Sequence, residues 1–352
     1  MLPRRLAAFL MIGSLAALAL STQSGELQGQ APASATAQSD ARAKISVNSN
    51  LVILPVTVKN RFGDLVADLQ QDDFRVFDEN VEQNISVFTA EAFPLSLVIL
   101  VDDDLKSKDA EHVAPSLRAI AGGISANDEV MVCRFDLSFY PGDAFTSDLD
   151  QLWAALKDAQ SRSGPSTAGP VPFITPPTTH SEGVGESKKQ VAVKAGPRPT
   201  KALDDAIYSS ADLLHDRGAT RRKMILVISD GVNGAPFNKH TYAETIESLL
   251  RDNVSVFSVA VGNSLIKHKF ARLTDYANDT GGDIYFASDT RAMERLYSQI
   301  TEEARHEYTL AYIPNDVSQS RSPYHKVEVR VAREAVTVKT RQGYYAPEPK
   351  SR

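Results

Sequence analysis

A doubly wound, mostly parallel α/β sheet flanked by helices and inserted in a small β-sandwich is the fold that three features of this 352-residue chain predict. From Pro94 to about Arg305, apolar runs alternate with amphipathic segments, the pattern of βαβ units around a parallel sheet. On both sides of that stretch the segments read as strands, with no helix of normal length. The residues leaving two central apolar runs are carboxylates, at the strand ends where doubly wound sheets receive their ligands.

The elements follow in order. Leu51 to Val58 and Phe74 to Phe77 are expected strands, the second turning at Asp78-Glu79-Asn80 into a return strand over Gln83 to Phe88. The central strands are expected at Leu95 to Val101, Glu129 to Phe135, Met224 to Ile228, Val254 to Val261 and Ile284 to Phe286. Between them the apolar spacing predicts helices at about Asp109 to Ala121, Leu149 to Ala159, Lys201 to His215, Tyr242 to Arg251, Phe270 to Asn278 and Arg291 to Ala304. Strands return at Tyr308 to Ile313, Lys326 to Val331 and Val336 to Arg341. With about three strands on each flank, neither flank can form a sandwich alone, so the two are expected to close one together, bringing the chain ends near each other.

The N-terminus carries an address. Arg4 and Arg5 precede an apolar run from Leu6 to Leu20, after which Ser21, Thr22 and Gln23 turn polar, which reads as a secretory signal peptide. The run is shorter than the roughly 20 residues that span a bilayer, although an uncleaved anchor is the competing reading. The expected organisation is a signal peptide over residues 1–23, a flexible leader over 24–43, an N-terminal β segment over 44–92 and the α/β domain over 93–305. A C-terminal β segment over 306–347 then pairs with 44–92, leaving a tail at 348–352. The location is periplasmic or extracellular, with no integral span once the signal is removed. Residues 161–199 read as an inserted loop, since the stretch 161–200 holds seven prolines and five glycines and cannot form a helix interior or a central strand.

Composition excludes several classes. Lys plus Arg number 38 against 44 Asp plus Glu, a net charge of −6 that argues against a nucleic-acid partner. The single Cys133 forbids an intramolecular disulfide and any cysteine-cluster metal site, and its place on an apolar strand reads as a core thiol. The seven histidines show no metal spacing, and no nucleophile elbow, phosphate loop or complete dinucleotide fingerprint is present. Nothing pairs a nucleophile with a base, so no enzymatic activity is expected.

The candidate site gathers at strand ends. Asp102-Asp103-Asp104 follows the first central strand, Ser229-Asp230-Gly231 the third, and Thr200 stands before the helix expected at Lys201, where its hydroxyl would cap. Carboxylate and hydroxyl oxygens from three loops are the donors a hard cation such as Mg²⁺ takes. Together with Asn50 to Val58, Asp73 to Asn80, Pro94 to Asp102, Val227 to Gly231, Thr280-Gly281-Gly282, Tyr308 to Tyr312 and Gly343-Tyr344-Tyr345, these residues carry a resemblance. The chain resembles von Willebrand factor type A domains, and more narrowly the VWFA-related proteins described chiefly from Acidobacteria.

That resemblance implies a metal-ion-dependent adhesion site with an Asp-x-Ser-x-Ser run, a Thr and a further Asp. Asp102 matches the first Asp, Thr200 the Thr and Asp230 the last Asp, whereas the two serine places hold Asp104 and Lys106. A protonated lysine has no lone pair for a metal, and its ammonium is expected to sit among Asp102, Asp104 and Asp230 in the metal's stead. Taking Ser107 into the run instead would put Asp103 first and break register with the strand. Asp102, Asp104, Thr200 and Asp230 are thus the candidate metal ligands of a degenerate site, with Lys106, Ser107 and Gly231 beside them as binding residues. The expected function is protein binding or adhesion to a partner of unknown identity. A Mg²⁺-competent site, a ligand-free structural envelope protein and a metal-dependent hydrolase stand as alternatives.

Overall fold

The computed structural model describes residues 51–162, 201–218, 220–262, 270–315 and 322–346. The expected signal peptide, leader and tail, most of the Pro/Gly-rich insertion, and Thr200 lie outside the described residues.

The chain opens in a sandwich. Strands β1 (Val52–Asn60), β2 (Phe74–Asp78), β3 (Val81–Gln83) and β4 (Ile85–Thr89) precede the α/β region. Between β2 and β3, Glu79 and Asn80 have φ of 47° and 65°, two consecutive left-handed residues that match the turn twist of a tight hairpin. The single return strand expected over Gln83 to Phe88 is instead two strands broken at Asn84. β3 stays with β2, and β4 crosses to the other sheet.

The α/β region follows. Its elements are β5 (Leu95–Asp102), α1 (Ser107–Ser116), β6 (Glu129–Phe135), β7 (Phe139–Tyr140), α2 (Leu149–Arg162) and α3 (Leu203–His215). β8 (Arg222–Ser229), α4 (Tyr242–Arg251), β9 (Val254–Val261), α5 (Ala271–Thr280), β10 (Ile284–Ala287) and α6 (Thr290–Arg305) complete it. The sheet order is β10-β9-β8-β5-β6-β7, in which all neighbours are parallel except the antiparallel edge pair β6/β7. Strand order reverses at β5, so the crevice at the end of β5 is the topological switch point. The helix expected over Asp109 to Ala121 is corrected: α1 stops at Ser116 and a 3₁₀ segment continues over Leu117–Gly123. Pro115 lies inside it, lacks an N–H for the ladder and crowds the carbonyl one turn earlier.

β5 is buried along its whole length, and its period of two feeds two cores. Leu95, Leu97, Ile99 and Val101 pack with residues of α1, α2 and α6, whereas Val98 and Leu100 pack with residues of α3, α4 and α5. Cys133 belongs to the second core, where burial pushes its thiol up to about 11 and keeps it protonated at neutral pH.

The C-terminal strands are β11 (Tyr308–Tyr312), β12 (Tyr324–Val331), β13 (Val336–Thr340) and β14 (Gly343–Tyr345). They interleave with the first four. One sheet runs β13-β1-β11-β4 and the other β14-β12-β2-β3, so each is built from both flanks, as expected. Leu54 lies opposite Leu310 and Val76 opposite Val329. Between the sheets, Leu54, Val56, Phe74, Val76, Leu310 and Tyr312 form a third core. Among the described residues each flank contributes four strands, and β14 is too short, at three residues, for its periodicity to predict.

Candidate functional site

The C-terminal ends of β5 and β8 place two carboxylates and a hydroxyl around one point. The Asp102 side chain is fully buried, and the Asp230 side chain, just past β8, keeps 14% of its surface exposed. Ser229 donates its hydroxyl to Asp102 Oδ2 at 2.6 Å, and the backbone N–H of Asp104 donates to Asp102 Oδ1 at 3.0 Å. Gly231 has φ +74°, a left-handed turn that brings its N–H to Ser229 Oγ at 3.1 Å, and the N–H of Val232 donates to Asp230 Oδ1 at 3.1 Å.

The ammonium between these carboxylates belongs to Lys201. Its Nζ donates to Asp102 Oδ2 at 2.8 Å and to Asp230 Oδ1 at 2.7 Å, and its side chain is 2% exposed. The expectation for Lys106 is therefore corrected. Lys106 is exposed and stands at the N-cap of α1, its carbonyl accepting from the N–H groups of Asp109 and Ala110. Ser107 is the first residue of α1 and also exposed. Asp104 is half-buried, and Asp103 pairs with Arg134.

The local backbone explains why Lys201 points inward. Its carbonyl accepts from the Gly234 N–H at 2.8 Å, and the Ala202 N–H donates to the Asp136 carbonyl at 2.8 Å. The chain entering α3 is thus stitched to the loops after β6 and β8. The helix begins at Leu203 and not at Lys201, and its first N–H groups are met from outside. Asn233 Oδ1 accepts from Leu203 N at 3.1 Å and Asn238 Oδ1 from Asp205 N at 3.0 Å. These borrowed caps satisfy orphan donors that a residue preceding the helix would otherwise serve.

Burial pushes the Asp102 carboxyl up to about 6, Lys201 and Ser229 opposing the rise and the neighbouring Asp230 adding to it. For Lys201, burial disfavours the charged form, but the charges and hydrogen bonds of Asp102 and Asp230 outweigh it and hold the amine above its usual range. The arrangement is a buried carboxylate–ammonium–carboxylate triad, whose members compensate one another's desolvation.

Oxygens of Asp102, Ser229 and Asp230 are hard donors suited to Mg²⁺. Asp102 Oδ2 already serves two donors, and the point between the carboxylates holds Nζ of Lys201. With Lys201 in place the residues do not fit a metal ion. Among the described residues, no group of three His, Cys, Asp or Glu side chains is arranged to hold one.

Three loops or strand ends at the C-terminal edge of the sheet, the edge that carries the triad, expose large apolar side chains. Leu137, after β6, is 49% exposed; Phe237, on the 3₁₀ turn after β8, is 51% exposed; and Phe286, near the end of β10, is 46% exposed. None of the three stands out in the sequence, because Leu137 and Phe237 are lone apolar residues in loops and Phe286 reads as part of a strand, and only the fold brings them to one edge.

No family model matches the chain, and no curated protein matches it. Solved structures do. The chain is similar to an aerotolerance-related membrane protein from Bacteroides fragilis, with 14% identity and a TM-score of 0.40 over 59% of this chain and 99% of that one. It is similar to the manganese-loaded TRAP protein of Plasmodium vivax, with 12% identity and a TM-score of 0.39 over 74% of this chain and 99% of that one. A von Willebrand factor type A protein from Catenulispora acidiphila gives 11% identity and a TM-score of 0.42 over 86% of this chain and 75% of that one. The fold itself rests on the strand order and connectivity described above.

Proposed function

We propose that this chain is an exported, non-enzymatic binding module of the von Willebrand factor A type, engaging a protein partner through the C-terminal edge of its central sheet. The observation that carries the reading is the exposure of Leu137, Phe237 and Phe286 at the sheet edge whose switch point holds a buried polar centre. Aromatic side chains are enriched in the cores of protein interfaces, and ligands of open α/β sheets gather at this edge. Among the described residues, the carboxylates of the triad are engaged with Lys201, and the neighbouring Ser229 hydroxyl donates to Asp102 and is not poised to attack a substrate. In this reading the triad shapes the face and the surrounding side chains make the contacts.

The test uses the full chain carrying a photo-crosslinking amino acid at position 137, 237 or, on the sandwich, 62. Irradiation in envelope extract of the native host should give one protein adduct from positions 137 and 237, none from 62, and the same yield with EDTA present. Adducts that appear only from position 62, or none from any position, would refute the reading.

A further inference from the structure

We propose that Lys201 is a tethered cation: its ammonium does permanently what a bound divalent ion would do between Asp102 and Asp230, and trimming it away creates a metal site. The proposal deepens the binding-face reading, because it concerns the centre of that face.

Three observations carry it. First, the oxygens aimed at Nζ come from two different strand ends, β5 and β8, at 2.8 and 2.7 Å, so the cation ties together segments far apart in the chain. Second, Ser229 donates to the same Asp102 oxygen that Lys201 contacts, so a carboxylate, a hydroxyl and a second carboxylate cluster within reach of one point. That is the oxygen-rich donor chemistry of Mg²⁺ or Mn²⁺, here directed at an amine. Third, the peptide group that joins Lys201 to Ala202 is anchored at both its ends, its carbonyl accepting from the Gly234 N–H and its N–H donating to the Asp136 carbonyl. The cation is therefore held by the chain, cannot be removed by a chelator, and keeps the entry to α3 and the loops after β5 and β8 in one arrangement. A metal would do the same only while its supply lasted.

Shortening the side chain to serine removes the amine and adds an oxygen donor. Two carboxylates then face each other across space that water and a divalent ion can enter. The carboxylates repel without a cation, so metal binding to the variant couples to its stability.

The experiment measures thermal unfolding of the full chain in EDTA, Mg²⁺ or Mn²⁺, together with Mn²⁺ binding by calorimetry. Wild type should give the same midpoint in all three solutions and no binding heat. Lys201→Ser should unfold earlier in EDTA and regain about 5 °C in Mn²⁺ at a hundredfold excess over Kd. The gain should vanish when Asp230→Ala is added. Lys201→Arg, which keeps the charge, should remain insensitive to metal. If Lys201→Ser is unfolded in EDTA, Mn²⁺ must restore the folded circular dichroism spectrum. The proposal is overturned if wild type binds Mn²⁺ or is stabilised by it, if Lys201→Ser ignores the metal, or if its response survives the loss of Asp230. These readouts need no partner, so the crosslinking result stands or falls separately.

Discussion

Glu307 joins the sandwich to the α/β region and makes the stability of that junction depend on pH. It stands just before β11 with its side chain 4% exposed, and its Oε2 accepts from Arg222 Nη1, at the start of β8, at 2.8 Å. Thr57, on β1, reaches its Oε1 at 3.5 Å, and Arg222 also bonds Thr309 of β11 at 3.2 Å. Burial pushes the Glu307 carboxyl from 4.5 up to about 7. The Arg222 charge opposes the rise, and Glu303 adds to it. The folded state thus holds this proton more tightly than the unfolded chain does. The stability it contributes is complete below about pH 4.5 and is lost as the pH rises through about 7. A displacement of that size is worth about 3 kcal/mol. Glu307→Gln keeps the shape and removes the titration. Urea unfolding of both proteins across the range gives the difference in stability at each pH, in which titrations common to both cancel. Wild-type stability relative to Glu307→Gln should fall by about 3 kcal/mol between about pH 4.5 and about pH 8. A difference that is flat, or that rises with pH, would show that the Arg222 pair more than offsets burial and would refute the reasoning.

Two further substitutions probe how the regions are joined. Lys59, on β1, pairs with Asp283 at 2.9 Å and Glu303 at 2.7 Å and donates to the Tyr285 hydroxyl at 3.0 Å. Lys59→Met leaves the buried Glu303 without its cation, while Asp283 keeps Lys339 at 3.3 Å, and should cost about 3 kcal/mol in chemical denaturation. Gly282 has no room for a side chain: a Cβ there would lie 2.0 Å from the Val256 carbonyl oxygen on β9. Gly282→Ala should therefore lower stability by about 3 kcal/mol or more, read as an earlier urea midpoint, since the obstacle is strand backbone and not a movable side chain.

The α/β region was legible because its signals are local. β6, β9 and α4 have the bounds that their periodicity predicts, the other predicted central elements differ by a few residues at their ends, and the two-residue edge strand β7 is too short for periodicity to predict. α1 departs because Pro115 weighs more on the backbone ladder than the apolar spacing that runs through it. In the flanks, the pairing of both ends into one sandwich followed from strand count. The break at Asn84, which sends β4 to the other sheet, did not, because alternation continues across it.

At the candidate site, Asp102, Asp230 and the Ser229-Asp230-Gly231 turn could be read directly, as polar residues at the ends of apolar strands. Choosing between two lysines could not. Lys106 is only four residues from Asp102, whereas Lys201 is ninety-nine away, yet Lys201 is the one that enters. A residue close in sequence is carried off by the helix that starts beside it, and α1 turns Lys106 to solvent.

The sequence by itself determined the order of strands and helices, the split sandwich and the strand ends where charge collects, since each follows from hydrophobic period and local chain chemistry. Only the tertiary structure decided which cation meets that charge and which exposed apolar side chains share its edge of the sheet. Both depend on distances between segments that are remote along the chain, and burial makes an unpaired carboxylate there too costly to leave without a partner.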